Sequence, residues 1–528
     1  MELFAGLGKA CSSSAFASLP PVFGTEVVSV QADIVTNFTE YSFLRLTHPP
    51  ILATDLSFCN VTVTYTHPGL NDAINVETWL PLGDWNERLY AAGGGGFGAG
   101  RFFLPYNSLV GALAEGYATV TSDAGLGFAA DAINPSAWAL KSHGNVDLHL
   151  LQNFGSSSLG EMATFAKSIL EEFYGSKPQF SYFNGCSQGG RQGMALAQRY
   201  PEAFDGILAG APGFHFPRVA AAIEWSQQFM NELNEYPREC EMDAITEAAV
   251  ETCDGLDGAV DGIISFPTEC MQSFNPMDLV GNTIDCWSTG SSMEISRAAG
   301  LVVQATWNGI ADADGRSVWD GYHPGTNITG KLGFVQAPAV TTCREDGSCT
   351  GNLALSIGKS WLRLFAAKDP DFDVSHLTRE EFLRLVRQSD REFASFLATD
   401  DADLSPFQKS GGKLLSWHGL MDDAVPPRPI EKYYEQVSQT VPETQSFYKH
   451  FSIPGLGHCG GGLGGQPIAL FEQLRAWVEE GVEPHNTPVS YNSPNGEAWE
   501  RIACPYPQKA MPSDGCEDYH TVDCWECK

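Results

Sequence analysis

An α/β-hydrolase fold carrying one large insertion is the architecture this sequence predicts. Strand-like and helix-like segments alternate up to residue 213, the alternation stops, and it resumes after Gly411-Gly412. Within the first stretch stands Gly185-Cys186-Ser187-Gln188-Gly189, a G-x-S-x-G placed between an apolar strand and a helix. In that context a strained turn lifts a serine above the edge of a parallel sheet.

Taken in order, residues 1–70 read as a polar, proline-punctuated lead-in. Residues 74–82 (INVETWLPL) alternate and are rich in β-branched side chains, so they predict a strand. Residues 88–100 (RLYAAGGGGFGAG) predict a short strand running into a glycine loop, and 116–125 (GYATVTSDAG) repeat the form. A helix over 159–175 ends at Gly175. A strand at 180–185, a helix at 191–201 stopped by Pro201 and a strand at 204–213 follow. Such alternation builds a parallel sheet covered by helices. From 214 to 410 the rhythm is lost; a strand at 413–419, a helix at 428–438, a strand at 447–455 and a helix at 467–480 restore it. The gap is long enough to be a domain. The expected organisation is a catalytic domain from 1–213 and 411–528, with an inserted domain at 214–410.

Composition narrows the function. Apolar residues are 43% and charged residues 18% of 528, which allows a large core and excludes global disorder. The net charge of −33 repels phosphate backbones and anionic lipid, so nucleic acid and membrane surfaces are not expected partners. No stretch approaches the ~20 apolar residues that span a bilayer. Fourteen cysteines without a zinc pattern predict a disulfide framework; the single Cys-x-x-Cys, Cys524 to Cys527, lies at the terminus, away from any βαβ unit. Sequons at Asn37, Asn60 and Asn327 make glycosylation and secretion the expectation. The first residues, MELFAGLGKACSSS, lack the charged and apolar regions of a signal peptide, which is expected to have been removed from this numbering.

A serine nucleophile needs a base, and the base needs an orienting carboxylate. In this fold the chain order is serine, acid, histidine. Asp422 or Asp423, just past the strand at 413–419, supplies the acid, with Asp422 preferred. His458, in a glycine-rich loop after the strand at 447–455, supplies the base; His418 reads as core or support. The Gln188 N–H faces a developing oxyanion, and Gly95 or Gly96 in the four-glycine loop offers the second donor. Cys186 precedes Ser187 and Cys459 follows His458. A bridge between them would hold the two loops together, since bridged Cα atoms lie roughly 5–6 Å apart; two unrelated buried thiols are the alternative. In the insertion, Asp254, Asp257 and Asp261 recur among glycines. Hard oxygens on a tight loop suit Ca²⁺, and spacing leaves a solvated acidic turn equally open. The aromatic residues of the insertion, such as Trp225 and Trp307, read mostly as core, and the run Asp400-Asp401-Ala402-Asp403 as a solvated linker.

GCSQGGRQG, GLMD and PGLGHCGGG together resemble the fungal tannase/feruloyl esterase family, on its feruloyl esterase B-like side, over about Val76 to Cys504. The resemblance implies Ser187 as nucleophile, His458 as base, Asp422 as acid, a Cys186–Cys459 disulfide, and an insertion that forms a lid over the site. It also implies structural calcium held by the side chains of Asp254, Asp257 and Asp261 and the carbonyls of Ala259 and Ile263, and no organic cofactor. Cys253–Cys270 would flank that loop, and Cys11–Cys59 and Cys343–Cys349 follow from proximity and the family pattern. Cys240, Cys286, Cys504, Cys516, Cys524 and Cys527 stay unassigned. The implied activity is that of a secreted serine esterase on small or cell-wall-linked esters of hydroxylated aromatic acids, hydroxycinnamoyl ahead of galloyl, as a monomer or homodimer. A tannase, a serine peptidase and a non-catalytic binding protein of the same fold are the alternatives.

Overall fold

The computed structural model describes residues 11–128, 134–330, 337–351, 356–492, 498–516 and 518–528. Nine strands form the central sheet: β1 Glu26–Ser42, β2 Ile51–Thr66, β3 Ile74–Pro81, β4 Arg88–Ala92, β5 Ala118–Ser122, β6 Phe180–Cys186, β7 Gly206–Gly210, β8 Lys413–Gly419 and β9 Tyr448–Ile453. Their spatial order is β1-β2-β3-β5-β4-β6-β7-β8-β9. From β5 onward every neighbour is parallel, whereas β1 to β3 and the β3–β5 pairing are antiparallel. Helices α1 Phe103–Ala114, α2 Ser158–Tyr174, α3 Gln188–Arg199, α4 Phe216–Leu233, α5 Arg379–Leu397, α6 Arg428–Thr440 and α7 Leu470–Glu480 supply the main crossovers and cover. This is the expected α/β-hydrolase architecture. The parallel strands are almost wholly buried because both faces are covered; β7, GILAG, is apolar and buried at every position. Gly175 takes the left-handed conformation that ends α2, as its sequence requires.

Residues 26–66 depart from expectation: the polar lead-in contains the two longest strands of the sheet. Three register shifts interrupt the β1–β2 pairing, and most β1 side chains are exposed. The period-two contrast that marks a half-buried strand is therefore broken. Helix α3 also begins earlier than its apolar pattern, at Gln188, because the turn at Ser187 leads straight into it.

Strands β7 and β8 pair side by side although residues 211–412 separate them. Among the described residues, none of that segment joins the central sheet. One of its cores gathers Trp225, Leu362, Phe382 and Val386. Another is shared: Phe97 of the glycine loop and Phe154 of the helical turn leading into α2 pack with Phe216, Trp361 and Phe365. Trp225 and Trp307 are buried, as expected of core aromatics. The acidic run is not a plain solvated linker. Asp400 lies 2.8 Å from His215 Nδ1, and the other ring nitrogen of His215 meets Asp390. That pairing ties the return segment to the start of α4 and was invisible at a sequence distance of 185 residues.

All fourteen cysteines are paired. Cys11–Cys59, Cys186–Cys459, Cys253–Cys270 and Cys343–Cys349 form as expected. Cys240–Cys286, Cys504–Cys527 and Cys516–Cys524 complete the set, so Cys524 and Cys527 belong to different bridges. No helix among the described residues is long and apolar enough to cross a membrane. Of the sequons, Asn37 is exposed, whereas Asn327 is half-buried. Asn60, within β2, is half-buried too, and its amide nitrogen donates to Glu77 at 3.1 Å.

Candidate active site

Strand β6 ends at Cys186, and Ser187 occupies the turn with φ 63° and ψ −120°, a conformation most side chains avoid. Close contact between strand and helix enforces the neighbouring glycines. A Cβ on Gly190 would stand 2.1 Å from the Gly210 carbonyl oxygen of β7, which no real side chain tolerates. The turn is held by Ser187 N–H donating to Gly210 O and by Gly213 N–H donating to Ser187 O.

The loops after β8 and β9 bring the partners. His458 Nε2 lies 2.9 Å from Ser187 Oγ, and His458 Nδ1 lies 2.8 Å from Asp422 Oδ2. An ionised carboxylate only accepts, so Nδ1 carries the hydrogen and Nε2 presents its lone pair to the hydroxyl. Asp422 is fully buried, and its other oxygen accepts the N–H groups of Ala424 and Val425. His418 reaches Asp422 Oδ2 at 3.0 Å and the Val425 carbonyl at 3.1 Å through the same Nε2, which must therefore be protonated. His418 supports the acid rather than replacing the base. Burial works against charge on Asp422, yet the imidazoles of His458 and His418 hold its carboxyl well below the usual range. Asp423 meets the backbone of His458 rather than its ring: its Oδ1 has no partner among the described residues, and burial and the Asp422 charge push it up to about 6.

Burial alone would depress His458, but the Asp422 and Asp423 carboxylates outweigh it and raise its pKa above 6.5. Only the neutral imidazole can take a proton from the serine. The acid limb of kcat/KM is therefore expected above pH 6.5, with activity rising as pH increases through it. A pH–rate profile of the free enzyme checks this; a limb at lower pH contradicts the arrangement.

The glycine loop lies against α3. Gly94 O accepts the Gly189 N–H at 3.1 Å, and Gln192 clamps the loop by accepting from Gly94 N–H and donating to Ala99 O. Gly95, one of the two nominated donors, spends its N–H on Gly98 O at 3.1 Å. The Gly96 N–H makes no hydrogen bond among the described residues, and the Gln188 N–H, in the first turn of α3, has no intrahelical partner. The Gln188 side chain is held apart from the turn by Arg191, which is fully buried. Neither Gln192 nor Arg191 was singled out in the sequence; both are polar residues on a buried helix face, which is the signal that could have found them.

The acidic loop of the insertion packs against the start of the histidine loop, where Ile263 Cδ1 lies 3.0 Å from the position a Cβ on Gly455 would take. Asp254 accepts the N–H groups of Asp261, Gly262 and Ile263, and Asp257 accepts that of Ala259. The buried Arg501 guanidinium lies 2.9 Å from Asp261 and 3.4 Å from Asp257, and it stacks on Trp525. Three carboxylates against one guanidinium leave negative charge in surplus, and burial with the neighbouring carboxylates pushes Asp261 up to about 6. Oxygen donors and surplus charge fit a hard divalent cation. In this placement no three of the acid, histidine or cysteine side chains among the described residues converge to hold one. Cys253–Cys270 flanks the loop.

A parallel sheet with Ser187, His458 and Asp422 hydrogen-bonded in series at its C-terminal edge defines an α/β-hydrolase. The family described as tannase and feruloyl esterase matches residues 59–519, and the chain belongs to it. A probable feruloyl esterase of Arthroderma benhamiae is 37% identical, covering 90% of this chain and 86% of its own. A tannase of Aspergillus oryzae is 29% identical, over 89% of this chain and 87% of its own. The solved structure of a tannin acyl hydrolase from Aspergillus niger superposes with a TM-score of 0.86 at 26% identity, covering 99% of this chain and 95% of that one. The chain is a carboxylic ester hydrolase.

Proposed function

We propose that this chain is a secreted serine esterase that cleaves esters of hydroxylated aromatic acids, hydroxycinnamoyl esters foremost. The observation that carries the reading is the unbroken series Ser187 Oγ, His458 and Asp422 at 2.9 and 2.8 Å. Ser187 Oγ attacks the ester carbonyl while His458 Nε2 takes its proton. The oxyanion is met by the N–H groups of Gln188 and Gly96. Collapse expels the alcohol, protonated by His458, and leaves the acyl group on Ser187. Water, deprotonated by His458, then releases the acid and restores the serine. The segment 214–410 acts as a lid whose residues select the acyl group, and the seven disulfides suit an extracellular setting.

Galloyl esters are the second reading, favoured by the 0.86 TM-score to a tannin acyl hydrolase; the 37% identity to a probable feruloyl esterase favours the first. Rates on methyl ferulate, methyl p-coumarate and methyl gallate decide between them. Turnover of the cinnamates alone supports a feruloyl esterase, of gallate alone a tannase, and of none removes the reading.

Calcium is part of the same proposal. Asp254, Asp257 and Asp261, with the carbonyls of Ala259 and Ile263, would hold it, and its charge would neutralise a buried acidic loop without entering the chemistry. The expected result is a Tm lowered by chelator and restored by Ca²⁺ but not by Mg²⁺, read by calorimetry. An unchanged Tm after chelation would mean that Arg501 alone balances the loop.

A further inference from the structure

The chain leaves the catalytic domain for the insertion and returns from it, and one histidine touches both crossings. His215 ends the outgoing crossing, directly before α4, and Asp400 lies on the returning one, between α5 and β8. His215 Nδ1 lies 2.8 Å from Asp400 Oδ2, and Nε2 meets Asp390 Oδ1 on α5. A carboxylate only accepts, so both ring nitrogens carry hydrogen and the imidazole is charged. Arg218, in the first turn of α4, holds the other oxygen of Asp390 at 2.7 Å. Two cations thus face two anions. The Trp319 ring lies 5.6 Å from the His215 ring and 5.6 Å from the Arg218 guanidinium, and His215 is only 6% exposed.

The outgoing crossing is also the support of the nucleophile turn. Gly210 O accepts the Ser187 N–H at 2.9 Å, and Gly213 N–H donates to Ser187 O at 3.0 Å. Between β7 and α4 two residues other than glycine, Ala211 (φ 33°) and His215 (φ 54°), take a left-handed backbone. Such strain persists only where neighbours impose it. The Ala211 N–H is fixed on Trp417 O at 2.7 Å. At His215 the side chain is fixed by the two carboxylates. Between them, Phe214 packs on Tyr433 of α6 at 4.8 Å.

We propose that His215 is a positioning residue for ester hydrolysis: its imidazolium, clamped between Asp390 and Asp400, braces residues 211–215 and so holds Ser187 in line with His458. The role presupposes the esterase activity proposed above. The charged groups around the ring are Asp390 on α5, Arg218 on α4 and Asp400 on the returning crossing; beyond Phe214 stand Tyr433 and Asp401, whose carbonyl accepts the Tyr433 hydroxyl. Loss of one proton from His215 leaves a lone pair facing a carboxylate and turns a balanced cluster negative. Burial disfavours the charged ring, but the two carboxylates outweigh it and hold its pKa above 6.5. The brace is therefore complete in acid and is lost as pH rises through the His215 pKa. His458 requires the opposite change, so activity follows a bell-shaped curve in pH.

The test measures kcat and KM against pH on a methyl ester of an aromatic acid, for the wild type, His215→Asn and Asp400→Asn, each checked by thermal melt. Asparagine accepts the left-handed backbone and does not titrate. The wild type is expected to lose kcat on the alkaline side. His215→Asn is expected to have a kcat about tenfold lower at the wild-type optimum, with little change in KM and no alkaline fall. In Asp400→Asn, which takes one carboxylate from the ring, the alkaline fall is expected at lower pH. A merely structural role would lower Tm without moving that fall. Should His215→Asn not fold, the displacement in Asp400→Asn decides. Hydrogen exchange at the Gly213 amide reads the brace without substrate. Beyond the ordinary base catalysis of exchange, its protection is expected to drop above the wild-type alkaline limb. Wild-type kcat in His215→Asn, or an alkaline fall at the same pH in all three proteins, overturns the brace and leaves the esterase reading intact. A wild type that hydrolyses no aromatic ester overturns the esterase reading; Gly213 protection that is indifferent to pH overturns the brace whether or not the enzyme is active.

Discussion

Alanine at Ser187 is expected to lower kcat on an aromatic methyl ester by roughly 10⁴-fold or more, with Tm nearly unchanged. The side chain is small and its backbone, not its hydroxyl, holds the turn, so folding does not depend on Oγ. Its partners give the same claim a finer test. Asp422→Asn leaves the shape but offers an amide N–H where His458 Nδ1 needs an acceptor, which favours the wrong tautomer; the expected loss is again about 10⁴-fold. Asp423→Asn, whose carboxyl meets neither ring nitrogen of His458 in the hydrogen-bond pattern, is expected to cost less than about tenfold in kcat. Steady-state kinetics of the three variants, each checked by thermal melt, separates the acid from its neighbour. If Asp423→Asn proves the more damaging, the assignment of the acid is wrong.

Removing the Cys186–Cys459 bridge as a pair of alanines is expected to produce the largest loss of stability of any single disulfide. The bridge joins residues 273 apart with Cα atoms 6.0 Å from each other. In the chain-entropy picture, closing so long a loop stabilises by about 4–5 kcal/mol, with the other bridges reducing the effective length. Activity is expected to fall as well. Cys186 and Cys459 adjoin Ser187 and His458, and a shift of about 1 Å between nucleophile and base costs on the order of a hundredfold in rate. Denaturant unfolding and kcat of the double variant check both effects. Cys343–Cys349, which closes only six positions, provides the contrast; its removal is expected to leave kcat untouched. A double variant with wild-type kcat would show that the loops hold the serine–histidine distance without the bridge.

Much of this site could be read in the residues, and the reasons are physical. Ser187 is legible because the elbow needs glycines where strand and helix touch, and those glycines are close in sequence. His458 and Asp422 are legible because each follows a strand whose apolar run marks its end. The cysteines beside serine and histidine point to each other across the chain. What stayed hidden depends on distant partners or on exposure. Strands β1 and β2 escaped because register shifts break their alternation. Arg501 meets Asp261 across 240 residues, and no local pattern announces a buried arginine. Gly95 and Gly96 are indistinguishable by sequence, whereas in the fold the Gly95 N–H donates to Gly98 O.

The most direct test of the central claim is the mass of the enzyme caught during turnover. Mixing with a phenyl ester of an aromatic acid and quenching in acid within milliseconds should trap the acyl-enzyme. The account predicts an adduct equal to one acyl group, on the peptide containing Ser187, that decays as free acid accumulates and is absent from Ser187→Ala. An adduct on any other residue, or hydrolysis that proceeds unchanged in Ser187→Ala, would contradict it.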